Sequence, residues 1–416
     1  MKRDMQHVSR LMVRIEKKCE HMLLKKPLNN HKNAFLLLVK AGLWADIESV
    51  DLQNHGFTDS VDWEKVYQFA EEQSVVGLVL AGIEWFKVHD SRFTVPQELL
   101  LQWIGEVQMI EQQNKAMNDF VAKLIEKLRK EDVYAILVKG QGIAQCYERP
   151  LWRASGDVDL LLNGSNYDKA KEWLLTSGKV ELEENYYKKR IEFAVDDWDV
   201  ELHGTMRGEL GRKIDKVIDE VQKDIFCGGN VRSHVFGHTS VCMPAPNNDV
   251  IFIFTHILQH FFGGGIGLRQ ICDWCRLMWT YKETLNHELL ESRIRKAGLM
   301  SEWHAFAALA VDRLGMPIEA MPFYSPSSVW RWKAERIMDY VLKVGNFGHN
   351  KDYSYLSKHT FVVRKMMSFC RHIKGSFPLL WIFPVDTVKT SFSYFVRGTV
   401  QVCQDAMLKF KQISVK

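Results

Sequence analysis

Apolar and polar positions recur with different periods along the chain, and the changes of period divide it. From Leu11 to Leu128 apolar residues follow a three-and-four spacing, broken by turn signals at Asn29-Asn30, His55-Gly56 and Val95-Pro96. That pattern predicts helices and no strand. The clearest stripe runs through Val107, Ile110, Met117, Val121, Leu124 and Leu128, leaving Glu126, Lys127 and Lys130 to water. From Val133 the texture changes. It reads as a strand at Tyr134–Val138, a glycine turn Lys139-Gly140-Gln141-Gly142, a short helix Ile143–Tyr147, a loop over 149–156 and a strand from Asp157 to Leu162. Ser165 with Asp168 forms a capping box for a helix ending near Gly178. Val180 to His203 then alternates like two or three antiparallel strands, where the sheet is expected to end. After Pro244 and Pro246 helical periodicity resumes over Val250–Thr280 and Ser327–Val344, with the polar run His349–Lys358 reading as a loop. The predicted fold class is α+β. Residues 1–130 form an N-terminal helical region, 131–245 an αβ core with a small mixed sheet, and 246–416 a C-terminal helical domain.

Composition narrows the class. With 46% hydrophobic and 25% charged residues and only 10 Pro in 416, the chain is that of a folded globular protein, not a disordered or fibrous one. Its 55 Lys+Arg against 51 Asp+Glu leave +4, and no basic stripe adjoins the core, which argues against nucleic acid as partner. The first 18 residues carry charges throughout and lack a signal-peptide apolar run. The eight cysteines show no disulfide rhythm, so a reduced, cytoplasmic setting is expected.

Candidate chemistry concentrates in Gly156-Asp157-Val158-Asp159-Leu160-Leu161-Leu162. On a strand, Asp157 and Asp159 share one face while Val158 and Leu160 take the other. Two converging carboxylates suit a hard cation such as Mg²⁺. Upstream, Lys139-Gly140-Gln141-Gly142 follows a strand and precedes a helix, where backbone N–H groups can meet a phosphate. Arg149 and Arg153 flank Pro150-Leu151-Trp152 within reach of triphosphate oxygens. Downstream, Asp197, Asp199, Glu201 and His203 share one face of a further strand, with Glu201 available as a third carboxylate for a two-metal site. Asp197 and Asp199 read as the solvated edge of that strand rather than as ligands.

Lys139-Gly140, Tyr147, Arg153-x-x-Gly156-Asp157-x-Asp159-Leu160-Leu161 and the strand end Glu201-Leu202-His203 together resemble the uncharacterised bacterial nucleotidyltransferases of the polymerase-beta-like superfold. Asp62-Trp63, Phe69-Ala70 and Gln73-Ser74-Val75 are similar to that branch's N-terminal part, and His256-x3-His260 with Gly267-Leu-Arg269-x3-Asp273 to its C-terminal part. The resemblance covers roughly residues 30–345. It implies two Mg²⁺ ions on Asp157, Asp159 and Glu201, the last holding metal or activating the acceptor. It also implies an NTP triphosphate held by Lys139 and Gly140, and transfer of a nucleoside monophosphate with release of pyrophosphate. The acceptor it implies is a small molecule, saccharide or peptide. One departure stands out: the superfold's Gly-Ser or Gly-Gly pair is here Gly140-Gln141, leaving the phosphate-cradling hydroxyl without a counterpart. A competing reading follows from it, a fold without turnover that serves as a scaffold or nucleotide-sensing subunit.

Other residues admit two readings. His256, His260, Arg269 and Asp273 either line the cleft, touching nucleotide or acceptor, or brace two helices as a buried polar network. With Cys272 and Cys275 the two histidines make a zinc site conceivable, against small core cysteines in a helix. His203 either donates to a metal-bound carboxylate or caps its strand. Gly263-Gly264-Gly265-x-Gly267 follows a helix and reads as an interhelical turn. Arg364, Lys365, Arg371, His372 and Lys374 precede Phe377–Phe383, giving either weak peripheral membrane contact near 364–384 or packed core.

Overall fold

The computed structural model describes residues 30–44, 61–177, 179–185, 189–208, 210–346, 361–396 and 399–400. The expected turns at Asn29 and His55-Gly56 and the loop His349–Lys358 lie outside them. Four helices open the described chain: α1 Asn30–Trp44, α2 Trp63–Glu72, α3 Val76–His89 and α4 Gln97–Lys130. Asp62 starts α2 by accepting the Lys65 N–H at 3.2 Å. Helices α1 and α3 pack backbone on backbone. A methyl group on Gly42 would stand 2.0 Å from the Leu78 carbonyl oxygen, and one on Gly82 would stand 2.1 Å from that of Leu38. The 34 residues of α4 bury Val107, Met117, Val121, Leu124 and Leu128 of the predicted stripe, while Ile110 is partly buried.

The αβ segment runs β1 Ile136–Val138, α5 Gly140–Ala144, a 3₁₀ turn Pro150–Trp152, β2 Val158–Leu161, α6 Gly164–Ser177, β3 Lys179–Asn185, β4 Arg190–Val195 and β5 Trp198–His203. The five strands form one mixed sheet in the order β1-β2-β5-β4-β3, in which β2 and β5 are parallel and the other neighbours antiparallel. Helix α6 starts at Gly164, with the Asn163 carbonyl taking the Tyr167 N–H, so Ser165 lies inside its first turn rather than at its cap. Helix α5 begins at Gly140, so the glycine turn is already helix and Ile143 is its fourth residue.

Sheet structure continues past His203, where it was expected to end. After α7, Arg212–Phe226, a hairpin of β6 Val231–Phe236 and β7 Thr239–Pro244 forms a second sheet. Its alternation, Thr239, Val241 and Met243 inward with Ser240 outward around a Gly237-His238 turn, is a period-two signal.

The helices that follow are α8 Pro246–Gly263, α9 Leu268–Tyr281, α10 His287–Ala297, α11 Met300–Ala308, α12 Ser328–Val344 and α13 Phe361–Leu380, with a last helix at 384–396. Gly264, at φ 116°, ends α8 and opens the interhelical turn. Two apolar cores result. Helices from both ends of the chain share one, which includes Ile136, Val138 and Leu161 from one sheet face. The opposite face, Leu137, Val158, Leu160, Val200 and Leu202, packs on α4 and α6 in the other. One face of β2 and β5 therefore looks toward the helical body. Among the described residues no helix is long and apolar enough to cross a membrane. The run Phe377–Phe383 is divided: Leu379, Ile382 and Phe383 are buried, with Phe383 against Phe261 and Phe262, while Phe377 and Trp381 are exposed.

Candidate functional site

Pairing registers build the site. Asp159 of β2 lies opposite Glu201 of β5, and Leu161 opposite His203, so Asp159, Glu201 and His203 project toward the helical body. On the far side of β5, β4 places Glu192 opposite Glu201 and Arg190 opposite His203. Asp159 and Glu201 are each only 3% exposed, close enough to repel unless cations intervene. Two cationic side chains and an imidazole do so. Lys139 Nζ lies 2.6 Å from Asp159 Oδ1, His203 Nε2 lies 2.7 Å from the same oxygen and 2.9 Å from Glu201 Oε1, and Arg190 Nε ion-pairs with Glu201.

Electrostatics follow from that arrangement. Burial alone would raise the Asp159 carboxyl, but the Lys139 charge and hydrogen bonds from His203 and Lys139 hold it well below the usual range. Burial opposes charge on Lys139 and His203, yet the carboxylates raise both, so His203 gains a proton more readily than a free imidazole. Asp157, just before β2, is exposed and pushed up to about 6, first by the charge of Asp159 and then by desolvation. Asp157 and Asp159, two residues apart, thus differ in proton affinity.

Lys139 occupies φ 57°, ψ −145°, a backbone region that L-residues avoid, directly before α5. Gly140 follows at φ 35°, and a side chain there would meet only the Asp157 carbonyl oxygen, at 3.5 Å. Gln141 is buried, and its Nε2 donates to Asn114 Oδ1 at 2.9 Å. Asn114 Nδ2 in turn donates to the Leu151 and Arg153 carbonyls, both at 2.8 Å. Gln141 therefore braces the loop that leads into β2.

That loop is anchored again from α9. Arg153 donates to Asp273 through Nε and Nη2, both at 2.7 Å, and Tyr147 Oη donates to Asp273 Oδ1 at 2.7 Å. Arg269 Nη1 donates to the Ala154 carbonyl at 2.8 Å. Gly156 lies on the exposed stretch between this anchor and Asp157. Arg149 stays at the surface, paired with Glu84 at 2.5 Å and stacked over Trp152. From α8, His256 and His260 meet at 3.1 Å. Burial, then the charges of Lys139 and His260, hold His256 well below the usual imidazole value, so it is neutral beside the carboxylates.

Asp197 sits in the β4–β5 turn at φ 68° rather than on the strand, and it and Asp199 are exposed, away from the cluster. Cys272 and Cys275 are fully buried in α9, their thiols raised by burial. Among the described residues, the group of three or more His, Cys, Asp and Glu with converging ligand atoms is Asp159, Glu201 and His203, all within 4.8 Å. Its carboxylate and imidazole donors fit a divalent cation. Sequence reasoning missed Arg190 and Asn114. Arg190 was findable from the alternation of β4 against β5, whereas Asn114 lies on a remote helix face with no local signal.

Residues 59–315 match the family described as uncharacterised nucleotidyltransferase, well over half of the chain. No curated protein and no solved structure matches it. With the paired strands carrying Asp159 and Glu201, and Asp157 just before β2, inside the matched span, the chain belongs to the uncharacterised nucleotidyltransferase family.

Proposed function

We propose that this chain transfers a nucleoside monophosphate from an NTP to an oxygen or nitrogen of a small-molecule, saccharide or peptide acceptor, releasing pyrophosphate. The observation that carries the reading is the register of β2 against β5, which brings Asp159 and Glu201 side by side, with Asp157 in the residue just before β2. A divalent cation on these carboxylates, Mg²⁺ by the family's chemistry, supplies charge neutralisation at the phosphorus. Lys139 exchanges its bond to Asp159 for the triphosphate, with the Gly140 backbone beside it. Glu201, between His203 and Arg190, receives the acceptor's proton. The Arg153–Asp273 pair, Arg269 and the Gln141–Asn114 bond hold the 150–157 loop so that Asp157 keeps its place. His256 and His260 close the site from α8.

The test is thermal unfolding with each of the four NTPs and Mg²⁺, comparing wild type with Asp157→Asn/Asp159→Asn, followed by a pyrophosphate-release assay on candidate acceptors. A nucleotide at ~100 times its dissociation constant adds about 2.7 kcal/mol. A shift in wild type that needs Mg²⁺ and vanishes in the variant supports the reading. Binding without pyrophosphate release across acceptor classes favours a nucleotide-sensing subunit, and no shift with any NTP overturns the transfer reading in favour of a scaffold.

A further inference from the structure

We infer that the helical hairpin made by α13 and the last helix, 384–396, docks on an anionic lipid surface through one apolar face. The inference goes beyond nucleotidyl transfer and stands independently of it.

The hairpin holds itself together and is seated through its turn. Its helices run antiparallel: His372 stacks on Tyr394 with ring centroids 4.2 Å apart, Phe369 meets Phe395 at 5.0 Å, and Ser391 Oγ donates to Ser376 Oγ at 3.4 Å. At the turn Leu379, Ile382 and Phe383 are buried, with Phe383 against Phe261 and Phe262 of α8.

An amphipathic helix on a globular body normally turns its apolar stripe inward. Here the stripes face out. On α13, Val363, Met366, Cys370 and Phe377 recur at three-and-four spacing, and all four are exposed. On the last helix Val385, Val388, Phe392 and Val396 repeat the pattern, again exposed. Trp381 at the turn is 79% exposed, and Met366, Phe377 and Phe392 are each 60% or more. At about 100° per residue, each stripe lies roughly 120° around its helix from the line of contact, in the same sense along the sequence. Because the helices are antiparallel, both stripes emerge on one side of the hairpin, with the Phe369–Phe395 pair in the groove between them. Scattered exposed apolar residues are ordinary, but a continuous apolar face marks a surface that something covers.

Charge identifies the cover. Residues 361–400 hold six Lys and Arg against the single Asp386, a balance of +5 in a chain whose total is +4. Lys374 and Lys389 are exposed on the outer flanks of the two stripes, where their stems can lie along apolar surface and their ammonium groups reach phosphates. Phe, Trp and Val on one face with Lys and Arg around it is the composition of a helix lying in the plane of a membrane surface, and anionic headgroups attract such a basic segment. A second copy of the chain fits less well. Cores of protein interfaces are depleted in Lys, and two hairpins would set +5 against +5. Among the described residues no helix is long and apolar enough to cross a bilayer, so the hairpin lies on the surface.

The experiment is flotation of the full chain with vesicles of phosphatidylcholine alone or with about one-third phosphatidylglycerol. The anionic vesicles should bind at least tenfold more protein, and added NaCl should release it. Phe377→Ser/Trp381→Ser should lower that binding at least tenfold, and Lys374→Gln/Lys389→Gln at least fivefold. Vesicles should also shift the tryptophan emission of wild type to the blue, a shift that Trp381→Phe lacks while still binding. Absence of binding to either vesicle, or equal binding to both, overturns the inference. Full binding by the Phe377→Ser/Trp381→Ser variant overturns it too, placing any lipid contact elsewhere. A wild-type dimer in sedimentation velocity that this variant makes monomeric, with no vesicle binding, assigns the face to a second copy instead. Should the variant not fold, the lysine pair and the Trp381→Phe emission decide.

Discussion

Lys139 Nζ and Asp159 Oδ1 meet at 2.6 Å across the β1–β2 edge, where both side chains are largely buried and the lysine stands on a strained backbone. The ammonium neutralises the carboxylate that the paired strands force inward. Removing one partner of a buried ion pair leaves the other charge uncompensated, at a cost of about 3–5 kcal/mol. Lys139→Met should therefore lower the melting temperature in EDTA. A divalent cation can replace the lost charge, so added metal should restore more stability in the variant than in wild type. Differential scanning fluorimetry with and without metal checks this, and equal metal shifts in both proteins would refute it.

The Arg153–Asp273 pair should behave as a unit. Asp273 accepts two bonds from Arg153 and one from Tyr147, all at 2.7 Å in a buried setting. Asp273→Ala leaves the guanidinium and the phenol unpaired, and should destabilise by about 3–5 kcal/mol. Adding Arg153→Met should recover part of that loss, because both charges are then gone. Urea unfolding of the two single variants and the double variant gives the coupling energy, expected above about 1.5 kcal/mol. Additive losses would show that the pair is not coupled.

The sequence disclosed what depends on neighbours along the chain. The α4 stripe and the inward alternation of Glu201 and His203 on β5 follow from periods of 3.6 and 2, so both could be read locally. Glu201 was reachable the same way, being two residues before His203 on a strand. Pairing across the fold was not legible. Nothing local says that Gln141 spends its amide on Asn114, 27 residues away, or that Arg153 finds Asp273 120 residues on. These partnerships bear on the Gly140-Gln141 departure. The position that lacks a hydroxyl for phosphate instead holds the loop carrying Asp157, which explains a buried glutamine there. The β6–β7 hairpin is different: its alternation and two-residue turn were present in the sequence, between two helical stretches that masked them.

The close approach of α1 and α3 predicts intolerance at Gly82. A Cβ there would stand 2.1 Å from the Leu38 carbonyl oxygen, a backbone atom that cannot swing away. The helices would have to separate, opening the core around Leu38, Val39 and Val79. Gly82→Ala should cost on the order of 3 kcal/mol, where a freely exposed helical glycine would gain about 1 kcal/mol from the same change. Urea denaturation measures it, and a neutral or stabilising effect would contradict the packing.

Glu302, 1% exposed in α11, gives a pH signature remote from the site. Burial first, then the nearby charge of Asp386, pushes its carboxyl up to about 8. The folded chain therefore keeps a proton that the unfolded chain, with an ordinary carboxyl, releases near pH 4.5. The sign is fixed: this group's stabilising contribution is full below about pH 4.5 and is lost as pH rises toward 8. The total is on the order of 4 kcal/mol. Glu302→Gln keeps the shape of the protonated acid without its titration. Its melting temperature should match wild type near pH 5 and exceed it at pH 8.5, with the gap opening progressively between. Because Asp386 lies on the last described helix, wild type at pH 8.5 should also expose residues 384–396 to proteolysis faster than the variant. Parallel melting curves across that range would show that Glu302 ionises normally in the fold.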